Sequence, residues 1–141
     1  MQKNLTKLYR QTQMNAAGSG RQVEISILEM ASGKMRNALG DQEEIDYNSG
    51  IIDALRFNQK VWDVFCADWS AENCSLDDTL RENLLSLGLF VKKRTFTMLA
   101  KSTRSGVHVL LELNDNLVKE LNDQVSSNKY RAESGSSGTE G

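Results

Sequence analysis

The chain has 141 residues, room for one domain with a single core; 39% are hydrophobic and 26% charged, which suits a globular chain and excludes a highly charged disordered one. Seventeen basic residues against nineteen acidic ones leave a net charge of −2, so no global footprint for nucleic acid exists, although a local patch stays open. No run is long and apolar enough to span a bilayer.

The absence of proline favours uninterrupted helices. Residues 1–18 carry no sustained apolar period and read as a flexible N-terminal arm, with one helical turn around Leu5, Leu8 and Tyr9. This segment is basic without an apolar stretch or cleavage site, so no secretory signal is expected in it, and the expected compartment is the cytoplasm. Ser19-Gly20-Arg21-Gln22 matches a capping box, a hydroxyl followed three residues later by Gln. Behind it Val23, Ile27, Met30, Ala31, Met35 and Ala38 recur every three or four residues on one helical face, widened by Ile25 and Leu28. Gly40 is a stop signal.

After an acidic connection from Asp41 to Asn48, Ser49-Gly50 opens a second helix. Its seam is Ile51, Leu55, Asn58, Trp62, Phe65 and Trp69, thickened by Ile52, Val61 and Cys66. Ser75 is the expected cap of a third helix, with Asp77 and Asp78 in the first turn, where the helix dipole favours carboxylates. Leu80, Leu84, Leu87 and Val91 form its seam. Leu85, Leu89, Phe90, Phe96 and Leu99 make it apolar over more than half its circumference, so it is either central or keeps a face for a partner. Gly88, costly inside a helix, implies close packing by a neighbouring helix. Lys101 to Gly106 is the third connection. A fourth helix runs from about Val107 to Val125 on a stripe of Val107, Leu110, Leu111, Asn114, Leu117, Val118 and Leu121. Residues 126–141 read as a flexible Gly/Ser-rich tail or appended linker. The expected fold is therefore all-α, a small antiparallel bundle of about four helices over residues 19–125.

No constellation for catalysis stands out. Cys66 and Cys74, in a reducing compartment, read as one half-buried helix thiol and one loop thiol. With the single His108 they cannot close a zinc site without carboxylates. Gly18-Ser19-Gly20 lacks the lysine of a phosphate-binding loop, and Asp41, Glu43, Glu44 and Asp46 lack calcium-loop spacing. The expectation is a protein with no enzymatic activity, metal or cofactor. Two features remain. The aromatic residues Trp62, Phe65, Trp69, Phe90 and Phe96 suit either a core or a groove for an amphipathic partner helix. Lys92, Lys93 and Arg94, with Lys101 and Arg104, suit either a solvated face or a phosphate-contacting patch.

Three segments carry a more specific pattern: Arg56-Phe-Asn58-Gln-Lys-Val-Trp62-Asp-Val-Phe65, Leu80-Arg-Glu-Asn-Leu84-Leu-Ser-Leu87-Gly-Leu-Phe90-Val91, and Leu111-Glu-Leu-Asn114-Asp-Asn116-Leu117-Val-Lys-Glu-Leu121. In this order and spacing, over residues 19–125, they resemble the FlaF family of flagellar biosynthesis proteins from alphaproteobacteria. Glu120 stands where that pattern carries a glycine or small residue. The resemblance implies positive regulation of flagellin synthesis and export, opposite the partner FlbT, in the manner of a secretion chaperone serving the flagellar type III apparatus. The expected partner is flagellin, whose terminal helical segments lack their filament neighbours before assembly. The expected docking groove comprises Asn58, Trp62, Phe65, Leu87, Phe90, Val91, Asn114 and Leu117, the two asparagines fixing helix register. The alternative is post-transcriptional regulation by direct binding to flagellin mRNA, alone or with FlbT.

Overall fold

The computed structural model describes residues 20–137, with side chains from 21 to 123. Among them are four α-helices and no strand: α1 (Gly20–Leu39), α2 (Ile51–Trp69), α3 (Asp78–Ala100) and α4 (Arg104–Ser137), with a 3-10 turn at Tyr47–Ser49. The all-α reading holds. The N-terminal arm, residues 1–18, and the capping residue Ser19 lie outside the described residues.

Each helix packs against its chain neighbour, and α1 closes the bundle on α4; the α3–α4 contact is the slightest of the four. The chain runs up, down, up, down. Asn114 of α4 reaches Ser32 of α1, while Arg104, ten residues earlier, reaches the α1 C-terminus at Leu39, so these two helices are antiparallel. Gly88 of α3 lies against Cys66 and Trp62 of α2.

The expected seams are the observed core in α2 and α4. Ile51, Leu55, Asn58, Trp62, Phe65 and Trp69 are all buried, as are Val107, Leu110, Leu111, Asn114, Leu117 and Leu121. In α1 the seam also holds, except that Met30 is exposed and Leu39 joins the core. Glu24 is buried too, with Arg21 Nη1 at 2.6 Å from its carboxylate. The third helix differs most. Its buried stripe is Leu84, Gly88, Val91, Thr95 and Met98; Leu80 and Leu87 are only half-buried.

Local chemistry explains the helix ends. Gly40 takes φ +58°, the left-handed conformation that glycine adopts without steric cost, and its N–H donates to Arg36 O at 3.2 Å. Gly50, at φ +92°, precedes α2. The α3 cap is Asp77 rather than Ser75: its carboxylate accepts the Leu80 N–H at 3.2 Å, a charged acceptor at the positive end of the dipole. The fourth helix starts at Arg104, three residues before the expected Val107, because Thr103 Oγ1 accepts the Gly106 N–H at 3.1 Å and closes its first turn. It continues to Ser137, beyond the expected Val125. The apolar stripe ends near Leu121, but no proline stops the backbone.

Arg104 ties one end of the bundle. The Arg104 guanidinium donates to the carbonyls of Leu39 (2.9 Å), Gly40 (3.1 Å) and Gln42, with Glu43 O at 3.5 Å. It thereby satisfies orphan carbonyls at the C-terminus of α1 and places a cation at the negative end of its dipole. Beside it, the Ser102 N–H donates to Tyr47 Oη at 3.1 Å, joining the 3-10 turn to the α3–α4 corner.

Candidate partner-binding site

The two asparagines set in apolar seams meet inside the bundle. Asn114 Nδ2 donates to Asn58 Oδ1 at 2.7 Å and to Ser32 Oγ at 3.1 Å, and Asn114 Oδ1 accepts from Trp62 Nε1 at 2.8 Å. Ser32, Asn58, Trp62 and Asn114 are all buried. One carboxamide therefore ties α1, α2 and α4 together and satisfies the indole N–H. Asn58 Nδ2 and Trp69 Nε1 are buried without a hydrogen-bond partner among the described residues. The expectation that the asparagines fix register fits this geometry.

The groove expected from the same residues is corrected by their burial. Asn58, Trp62, Phe65, Val91, Asn114 and Leu117 are interior. Trp69 packs edge-on to Trp62 at 6.2 Å and tilted against Phe65 at 5.7 Å, so the aromatic seam of α2 is core. Leu87 is half-buried, and Phe90 alone of the eight is exposed. Helical spacing could not separate these cases, because core and groove aromatics share the same period.

The surplus apolar surface lies on α3. Phe96 is 75% exposed, Leu89 53% and Phe90 45%. At about 100° per residue, Leu85, Leu89, Lys92 and Phe96 align along one edge, at i, i+4, i+7 and i+11. This edge borders an open groove of about 390 Å³ between α2 and α3, lined by Asp63, Cys66, Leu85, Gly88, Leu89 and Lys92. Gly88 lets the helices approach; a β-carbon there would collide with Cys66 Sγ. Phe90 points elsewhere, about 120° round the helix from Phe96, with the Arg94 guanidinium 5.4 Å over its ring. Burial pushes the Cys66 thiol up from its ordinary pKa, helped by the Asp63 carboxylate and opposed by Lys92. Cys66 and Cys74 are both free and half-buried.

The basic run does not make a patch. Lys92, Lys93 and Arg94 are consecutive, so they leave the helix in three directions about 100° apart. Arg94 lies over Phe90, and Arg104 is engaged with the end of α1. His108 is exposed. Among the described residues no group of three His, Cys, Asp or Glu is placed to hold a metal, and no helix is long and apolar enough to cross a membrane.

The fold and site define a small up-and-down helical bundle with a polar tie in its core and an apolar groove on its outside. The chain belongs to the FlaF family: the family model described as flagellar protein FlaF matches residues 6–121. It is a flagellar protein in that sense. No curated protein and no solved structure matched it.

Proposed function

We propose that this protein is a flagellin-binding secretion chaperone and positive regulator of flagellin synthesis and export. It works by binding rather than catalysis, in the cytoplasm, before flagellin leaves the cell. The supporting observation is the apolar edge of α3, where Leu89 and Phe96 are exposed and Leu85 is half-buried, on a helix whose buried stripe is narrow. An unassembled flagellin subunit carries terminal helices whose apolar faces await filament neighbours. Covering one such helix would block premature polymerisation and keep the segment exportable. Effects on synthesis follow indirectly, through the pool of free flagellin or through FlbT. Direct binding to flagellin mRNA is the weaker reading, since the basic side chains of α3 diverge and the net charge is −2.

The test is a titration of the full chain against flagellin at two salt concentrations. Docking that is mainly apolar predicts affinity that falls only modestly with salt, whereas message binding predicts a steep fall. Absence of flagellin binding at both concentrations overturns the proposal.

A further inference from the structure

We infer that the α2–α3 groove receives a partner helix that is apolar at i, i+4, i+7 and i+11 and acidic beside the two apolar positions at one end, the end that meets Lys92 and Phe96. The inference deepens the flagellin-binding reading and rests on it for the partner's identity. The groove itself rests on the residues.

The edge Leu85, Leu89 and Phe96 is apolar except at Lys92, which lines the groove. Lys92 and Lys93 are exposed and form no ion pair among the described residues. The antiparallel register that sets Cys66 against Gly88 carries the exposed Arg56 of α2 toward the Phe96 end. That end therefore holds Arg56 and Lys92, against the carboxylate of Asp63. An apolar stripe bordered by unpaired cations is complementary to an amphipathic helix carrying carboxylates at the matching end.

The same charges disfavour two other occupants. A second copy paired antiparallel about a two-fold axis would place both Lys92 side chains within about one helical turn of that axis, like charge beside like charge. The chain's own N-terminal segment carries Lys3, Lys7 and Arg10 and no acid before Glu24, so it too would bring cation to cation.

The test uses the full chain and two labelled synthetic peptides, each with leucine at i, i+4, i+7 and i+11. One has glutamates flanking the last two leucines, the other lysines. Fluorescence anisotropy is expected to show tighter binding of the glutamate peptide. Phe96→Ala and Leu89→Ala should each weaken it about tenfold or more, with unchanged melting temperature, since both side chains are exposed. Lys92→Glu should reverse the preference between peptides. Equal affinity for both peptides, or binding indifferent to Phe96→Ala, overturns the inference. So does a wild-type dimer in sedimentation that Phe96→Ala dissolves while neither peptide binds, because the occupant is then a second copy. Flagellin binding that Phe96→Ala leaves intact sinks the groove and spares the chaperone reading. Peptide binding with charge reversal, without flagellin binding, supports the groove and sinks that reading.

Discussion

Replacing Asn114 by alanine should be among the most damaging single changes in this protein, and its cost can be set against a matched control. The carboxamide makes three buried hydrogen bonds, from Trp62 Nε1 and to Asn58 Oδ1 and Ser32 Oγ. Its loss strands the indole N–H, the Asn58 carbonyl oxygen and the Ser32 hydroxyl inside the bundle. At about 1–3 kcal/mol per stranded group, with partial relief as the serine hydroxyl rotates, the expected loss is about 3–5 kcal/mol. Asn58→Ala deletes the same side-chain volume but only one of these bonds, and it removes an amide nitrogen that already lacks a partner. Its expected cost is about 1–2 kcal/mol. The cavity contributions are alike, so the difference of about 2 kcal/mol reports polar satisfaction. Urea denaturation followed by tryptophan fluorescence reads this directly, because Trp62 and Trp69 are both buried. Equal costs for the two variants, or a loss below about 1 kcal/mol for Asn114→Ala, would refute the polar tie.

Gly88→Ala gains helix propensity but drives its β-carbon into Cys66 Sγ; a net destabilisation of about 1–2 kcal/mol is expected, and it should vanish in a Cys66→Ala background, as measured by a double-mutant cycle in urea. Arg104→Ala should cost about 1–2 kcal/mol by stripping the α1 C-terminus of its donors, and Arg104→Lys should recover little of this in thermal melts, because one ammonium cannot fan across several carbonyls. Cys66 has its thiol pKa raised by burial. The contribution of its neutral form is therefore complete below the unfolded thiol's pKa and is lost as pH climbs through the folded one. Stability measured across alkaline pH should fall less steeply in Cys66→Ala than in the natural chain.

Much of the fold was legible because burial in a bundle imposes a period. The α2 and α4 seams, the left-handed stop at Gly40 and the close approach at Gly88 all follow from local rules that a sequence displays. The ends were harder. Asp77 and Ser75 both satisfy the rules for a cap, and only the path of the backbone decides between them. Arg104 finds its carbonyls more than sixty residues away, a relation no window along the chain can contain. The site was least legible. Trp62 and Phe96 are both aromatic residues on apolar helical faces, yet one is interior and the other is the most exposed large apolar side chain described. What separates them is where α2, α4 and α3 settle. That is decided by the Asn58–Asn114 tie and by the narrow stripe that α3 buries. The asparagines did carry a signal, since polar groups inside apolar seams point to one another, but it spoke of register and not of docking.

The proposed binding of flagellin through an apolar surface of this bundle can be tested directly. The most direct measurement is a calorimetric or anisotropy titration of the full chain with intact flagellin and with flagellin lacking its terminal helices, at low and high salt. Tight binding to intact flagellin, weakened only modestly by salt and lost with the terminal helices, is the predicted result. Binding that survives the truncation, or collapses steeply as salt rises, would contradict it.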